Sequence, residues 1–149
     1  MTKSAMITIA GRPNVGKSTL FNALTGLRQH TGNWPGKTVG KVTGEAVFQG
    51  RRIELVDLPG TYSLTGNSED ERIAAEYISC GEADCVIAVC DGSCLERTLI
   101  LALQVFNECN FCSFLLGIIS YNNRYFLKTC LLCGTPTAFP CHNNVSAGL

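Results

Sequence analysis

The 149-residue sequence has no long hydrophobic run. Its longest apolar stretch, around Phe111 to Ile119, is about half of what a membrane-spanning helix needs. It has no net charge either, because 12 Lys and Arg balance 12 Asp and Glu. A chain whose main business is non-specific nucleic-acid or anionic-membrane binding carries an excess of one sign, so neither role is expected. Histidine is scarce. His30 and His142 stand apart, with no His-and-carboxylate cluster to hold iron. Met1 to Met6 lack the basic-then-apolar pattern of a secretion signal. The expectation is a cytoplasmic domain. An odd number of cysteines, 9, without such a signal does not read as a disulfide framework.

What is present suffices for one domain: 46% of the residues are hydrophobic, enough for a core. The charge is uneven. Beyond residue 104 the only charged side chains are Glu108, Arg124 and Lys128, while five of the nine cysteines and five of the seven phenylalanines lie there. Two parts are therefore read separately, 1–104 and 105–149. In the first, Ser4 to Ala10 reads as a buried strand and Lys17 to Thr25 as a helix stopped by Gly26. Leu27 to Gly40, with Gly32, Asn33, Pro35 and Gly36, reads as an irregular loop. Lys41 to Gln49 and Arg51 to Asp57 read as a hairpin around Gly50. Ser68 to Ser79 reads as a helix with Ser68 as N-cap and Glu71 completing a capping box. Asp84 to Cys90 is a continuous apolar strand and Leu95 to Phe106 a helix. The alternation predicts an α/β domain, three layers deep, with a mostly parallel sheet.

Gly11-Arg12-Pro13-Asn14-Val15-Gly16-Lys17-Ser18 fits the P-loop pattern G-x-x-x-x-G-K-S/T between a predicted strand and a predicted helix. Glycines let the backbone N–H groups curl toward phosphate oxygens. Lys17 reaches the β- and γ-phosphates, and the Ser18 hydroxyl ligates Mg²⁺. The helix presents its positive end to the same anions. Asp57-Leu58-Pro59-Gly60 ends the strand IELVD. A carboxylate there can hold the Mg²⁺ through its water shell, and the Gly60 N–H can meet a γ-phosphate. Thr38, in the irregular loop, is a candidate second Mg²⁺ ligand that would make the loop a switch, and Thr31 competes for that role.

These pieces resemble small GTPases. The strings GRPNVGKSTLFNALTG, GNWPGKTV, VDLPGTYSL and LERTLILALQ are more closely similar to the cytosolic G domain of the bacterial ferrous-iron transporter family, FeoB, over residues 4 to 104. The resemblance implies a P-loop NTPase fold that binds GTP and GDP with Mg²⁺ and an activating K⁺. Gly11, Asn14, Val15, Gly16, Lys17, Ser18 and Thr19 would then surround the phosphates. Gly36, Lys37 and Thr38 would close over them together with Asp57, Leu58, Pro59 and Gly60. Ser18 and Thr38 would ligate Mg²⁺, with Asp57 behind its waters. Asn14 and the carbonyls of Gly32 and Trp34 would hold K⁺. Asn14, Lys17, Thr38 and Gly60 would act on the phosphate being transferred. The residue after Gly60 is Thr61, not Gln, so no side chain for orienting water is evident. Arg12, Lys37 and Gly40 differ from the residues expected at those family positions.

A complete GTPase needs N-K-x-D after the next strand. Here Gly117-Ile118-Ile119-Ser120 stands in its place, and no N-x-x-D occurs beyond residue 104. Val145-Ser146-Ala147 is similar to the Ser-Ala motif that backs the guanine. Two readings of the tail compete with this one. Cys109-x-x-Cys112 and Cys130-x-x-Cys133 have zinc-ribbon spacing. A sudden loss of charge with a gain of Cys and Phe is also what an altered reading frame would produce, and that is the leading reading from about residue 105. The functional expectation is slow hydrolysis of GTP to GDP and phosphate, regulating ferrous-iron passage through a membrane-embedded permease portion anchored in the bacterial inner membrane. The alternatives are a fragment that binds nucleotide without hydrolysing it, and a GTPase-like protein with a zinc-stabilised tail.

Overall fold

The computed structural model describes residues 4–109, 113–119 and 125–128. In chain order the elements are β1 (Ala5–Gly11), α1 (Lys17–Thr25), β2 (Gln29–Asn33), β3 (Gly40–Phe48), β4 (Arg51–Asp57), α2 (Glu69–Ser79), β5 (Cys85–Asp91), a single 3₁₀ turn (Gly92–Cys94), α3 (Leu95–Glu108), β6 (Ser113–Ile119) and β7 (Tyr125–Lys128). The described strands form one sheet in the order β2-β3-β4-β1-β5-β6-β7. The central strands β4, β1, β5 and β6 run parallel. Antiparallel partners flank them, β3 and β2 on one side and β7 on the other.

Alternation along the central strands separates two apolar layers. On one face Ile9, Leu55, Ile87 and Val89 pack with Leu20 and Phe21 of α1. On the other, Ala10, Val56, Val86, Ala88 and Cys90 pack with Ile73, Ala74, Tyr77 and Ile78 of α2 and Leu101, Ala102 and Val105 of α3. With both faces covered, β5 can be a run of buried residues. The three-layer α/β architecture agrees with the expectation from sequence.

Two local readings are corrected. Part of the expected loop Leu27 to Gly40 is the strand β2, paired with β3 from Gln29 opposite Gly44 to Asn33 opposite Gly40. All five β2 residues are exposed. No buried face imposes an apolar period, so backbone pairing alone makes the strand. The capping box at α2 is only half formed. Ser68 Oγ accepts the Glu71 N–H at 3.2 Å, but the Glu71 carboxylate does not return the bond to Ser68. It accepts instead from the Ser63 hydroxyl at 2.8 Å, the Thr65 hydroxyl at 3.2 Å and the Asn67 N–H at 3.0 Å. One carboxylate thereby gathers the segment between β4 and α2.

Gly44 in β3 is required by the helix above it. A Cβ there would lie 2.6 Å from Thr25 Cγ2, 2.8 Å from the Arg28 carbonyl oxygen and 2.9 Å from Phe21 Cζ. Gly44→Ala is expected to lower stability by roughly 1–3 kcal/mol through overpacking, read as a lower denaturant midpoint. The Glu71 carboxyl is held below its ordinary 4.5, first by the Ser63 hydrogen bond. A lowered acid stabilises the fold fully above its unfolded value and loses that contribution as pH falls through the folded one. The stability gap between the wild type and Glu71→Gln should therefore be widest above pH 4.5 and close below it. Denaturation curves at pH 7 and about pH 3 measure it; a gap that does not narrow in acid would contradict it.

Candidate functional site

The site forms where β1 ends and α1 begins. The connection Arg12–Gly16 turns through two left-handed residues, Asn14 (φ 60°) and Gly16 (φ 97°). Gly16 is the N-cap of α1 and supplies no side-chain cap. The first-turn N–H groups are thus available to an anion. Gly11 leaves room for the side chain that matters most: a Cβ there would lie 3.1 Å from Lys17 Cδ and 3.0 Å from both Val15 Cγ1 and the Val89 carbonyl oxygen. The Lys17 stem passes over this gap and brings Nζ to 3.4 Å from Asp57 Oδ1, with side-chain exposures of 10% and 11%. Ser18 and Thr19, in the first turn of α1, are exposed.

Asp57 reaches this point because β4 pairs with β1 in a register that sets Ile9 opposite Asp57. Burial pushes its carboxyl pKa up, and the Lys17 ammonium only partly offsets that. Asp57 Oδ1 is buried without a hydrogen-bond partner, since the Lys17 contact is an ion pair and not an aligned hydrogen bond. A largely buried carboxylate whose Oδ1 faces Lys17 without a hydrogen bond, at the end of β4 beside the start of α1, fits a hard, hydrated divalent cation.

The residues after Asp57 are laid along the P-loop. The Leu58 N–H donates to the Ile9 carbonyl at 3.0 Å and the Thr61 N–H to the Gly11 carbonyl at 3.2 Å. Gly60 lies so close that a Cβ would be 2.9 Å from Pro13 Cα. Beyond them the Arg12 guanidinium stacks 4.6 Å above the Tyr62 ring. Arg12 and Tyr62 also line an open cleft of about 220 Å³ with Asn14, Asp91, Cys94 and Arg97.

The loop between β2 and β3 is tied to α2. Trp34 is buried edge-on against Tyr77, with ring centroids 5.2 Å apart, and Lys41 Nζ lies 4.7 Å from the Trp34 centroid. The Trp34 carbonyl accepts the Lys37 N–H at 3.0 Å across a turn in which Gly36 has φ 69°. The Thr38 hydroxyl donates to Glu69 Oε2 at 3.3 Å. Of the two threonines weighed as ligands, Thr31 is paired within β2 opposite Val42, whereas Thr38 lies in the loop. Gly32 is also in β2, opposite Lys41.

The structure thus gathers Gly11, Gly16, Lys17, Asp57 and Gly60. It holds Thr38 on Glu69 and Trp34 on Tyr77. Ser120, Ser146, Ala147, Cys112, Cys130 and Cys133 lie outside the described residues. Gly117, Ile118 and Ile119 belong to β6, and Cys109 is buried after α3. Sequence reading missed the Arg12–Tyr62 stack, the Lys41 contact and the bond from Thr38 to Glu69. It assigned Glu71 to a cap, although hydroxyl-rich Ser63-Leu64-Thr65 upstream offered it other donors.

The family profile described as ferrous iron transport protein B matches residues 5–121. The Fe(2+) transporter FeoB of Methanocaldococcus jannaschii is 53% identical over 103 residues, 69% of this chain and 15% of that protein. That of Salmonella typhimurium is 51% identical over 107 residues, again 69% of this chain and 14% of the relative. This chain therefore spans about 15% of the length of such transporters. Among solved structures, the G domain of T. maritima FeoB superposes with a TM-score of 0.71 at 45% identity, covering 76% of this chain and 72% of that one. The T. maritima cytosolic domain in its GMPPNP form also gives 0.71 at 46% identity, over 75% of this chain and 44% of that one. With the P-loop, the Asp57 segment and the tethered loop in the places described, the chain belongs to the FeoB family and corresponds to its N-terminal G domain.

Proposed function

We propose that this chain binds guanine nucleotide at the P-loop and hydrolyses GTP slowly to GDP and phosphate, and that its nucleotide state regulates ferrous-iron passage through a membrane-embedded permease portion of a FeoB-type transporter. The observation that carries this is the largely buried Lys17–Asp57 ion pair at the uncapped N-terminus of α1, in which Asp57 Oδ1 faces Lys17 without a hydrogen bond. Lys17 would turn from Asp57 toward the β- and γ-phosphates, while the first-turn N–H groups receive phosphate oxygens. Ser18 and Thr38 would hold a Mg²⁺, with Asp57 accepting from its waters. Such an ion neutralises charge on the phosphates. For Thr38 this means exchanging its bond to Glu69.

In hydrolysis a water oxygen bonds to the γ-phosphorus as the bond to the β,γ-bridging oxygen breaks. GDP leaves, and the water proton ends on the phosphate released. Thr61 cannot orient that water as a Gln would, so charge stabilisation carries the rate. Asn14, with the Gly32 and Trp34 carbonyls, would hold an activating K⁺. The Trp34 carbonyl oxygen has a second lone pair beside its Lys37 bond.

Lys17→Ala should abolish measurable binding of a non-hydrolysable GTP analogue, a loss of roughly 100-fold or more. Unchanged affinity would remove the phosphate assignment. Replacing K⁺ by Na⁺, or Asn14 by Ala, should slow hydrolysis while sparing binding, as for a group acting on developing charge. Equal rates in the two salts would contradict it. Base selectivity tests the guanine part. Gly117 to Ser120 offers no carboxylate for the two guanine N–H donors. A site missing such a partner loses discrimination on the order of 100-fold or more. Competition of GDP, GTP, ADP and ATP against one fluorescent nucleotide should show weak GTP binding and poor separation from ATP. A GTP preference above about 100-fold would overturn that expectation.

A further inference from the structure

Two stretches far apart in the sequence are laid against each other. The Thr61 N–H donates to the Gly11 carbonyl at 3.2 Å. Gly60 sits on Pro13, where a Cβ would come within 2.9 Å of Pro13 Cα and 3.0 Å of its nitrogen. Beside these contacts the Arg12 guanidinium lies 4.6 Å from the centre of the Tyr62 ring. Gly11, Arg12 and Pro13 of the P-loop thus grip Gly60, Thr61 and Tyr62 at adjoining points.

The grips differ in kind. Backbone contacts and burial hold the first two, with Leu58 1% and Thr61 4% exposed. The third is a side-chain contact at the surface, since Tyr62 is 61% exposed. Asp91 lines the same cleft as Arg12, but among the described residues Arg12 makes no ion pair. Asp91 Oδ1 accepts instead from the Ser93 N–H at 2.8 Å and the Ser93 hydroxyl at 2.6 Å. Arg97, also lining the cleft, carries the same charge as Arg12. Arg12 Nε is buried without a hydrogen-bond partner. The ring face is therefore what the guanidinium rests on. Immediately after Tyr62 the chain is bonded elsewhere, the Ser63 hydroxyl donating to Glu71 of α2 at 2.8 Å. Tyr62 is thus the last residue of this segment tied to the P-loop, and the stack sets how firmly that end is held.

We propose that Arg12 and Tyr62 are positioning residues for the γ-phosphate contact: their stack keeps Gly60 against the P-loop and so favours GTP over GDP. This rests on the reading of the P-loop as a guanine-nucleotide site in which the Gly60 N–H meets the γ-phosphate, a group GDP lacks. A triphosphate gains that contact only in the fraction of molecules whose Gly60 segment lies on the P-loop, and its apparent affinity falls with that fraction. A diphosphate binds equally well with the segment on or off. A cation over an exposed ring shifts such an equilibrium by about two- to fivefold, which sets the size of the effect.

The test is the ratio of affinities for the β,γ-imido analogue of GTP and for GDP, each measured by competition against one fluorescent nucleotide on the whole 149-residue chain. Base, ribose and the α- and β-phosphates are common to both ligands, so their contributions cancel in the ratio. Tyr62→Leu keeps the apolar bulk and removes the ring. It should lower the ratio roughly two- to fivefold and leave GDP affinity unchanged. Tyr62→Phe keeps the ring face and should retain the ratio of the unaltered chain. Arg12→Gln should lower the ratio as Tyr62→Leu does. The double variant should be no lower than either single one, because both act through one contact. A ratio insensitive to Tyr62→Leu, a parallel loss for both nucleotides, a Tyr62→Phe variant as impaired as Tyr62→Leu, or additive losses in the double variant would overturn the proposal. GDP binding by the unaltered chain separates the two levels. Without it the phosphate-site reading fails and the clasp with it, whereas GDP binding with an unchanged ratio removes the clasp alone.

Discussion

The parallel register of β4 on β1 is the constraint on which the site depends. It sets Asp57 opposite Ile9, one strand-width from the turn into the P-loop. Two opposite charges at that separation attract with an energy on the order of 4 kcal/mol at the effective dielectric of a protein surface. Burial still wins at Asp57, whose carboxyl is pushed up despite Lys17. The pair is therefore an unrelieved charge arrangement more than a strut. A polyanion for Lys17 and a cation for Asp57 would satisfy both partners better than they satisfy each other.

Helix α2 anchors both loops that border this site. Tyr77 receives Trp34, Glu69 receives Thr38, and Glu71 gathers Ser63, Thr65 and Asn67. Each hydrogen bond contributes about 1 kcal/mol net, and an aromatic pair a similar amount beyond its burial. The single Thr38 bond, exposed and 3.3 Å long, is the cheapest of these to exchange. The Trp34 contact is buried and reinforced by Lys41. Thr38 is therefore the weaker tether of this loop and Trp34 the stronger.

The parts of the fold visible in sequence were those with a buried face or an obligatory glycine. Lys17–Thr25 was readable as a helix because Leu20 and Phe21 must face the core and Gly26 must end it in a left-handed cap. β5 was readable because both its faces are covered. β2 was not, because none of its side chains is buried. The P-loop could be read because phosphate chemistry prescribes residue types at a fixed spacing. Its surroundings could not. Arg12 on Tyr62 and Thr38 on Glu69 join residues 50 and 31 positions apart through side chains that many pairs could replace. Glu71 shows the intermediate case: the cap was legible, but the destination of its carboxylate depended on a turn that brings Ser63 and Thr65 back over α2.

The two ends of the sheet stand in a definite physical relation. β4 begins at Arg51 and ends at Asp57, a span of about 20 Å. α1, from Lys17 to Thr25, is about 13 Å long and ends over Gly44, which pairs with Leu55 in the middle of the sheet. Direct electrostatic influence over that distance is small, because it exceeds the screening length of about 8 Å at physiological salt. Charge placed on Lys17 or Asp57 is therefore screened from the Arg51 end of β4. Any coupling between nucleotide and the far end must be mechanical, through displacement of α1 or β4. Both are pinned by Phe21, Leu55 and Ile9 in one close-packed layer, where shifts cost core packing. The packed centre is thus the most firmly held part of the sheet, while the Trp34–Gly40 loop beside the phosphate site is tied only through Trp34 and Thr38.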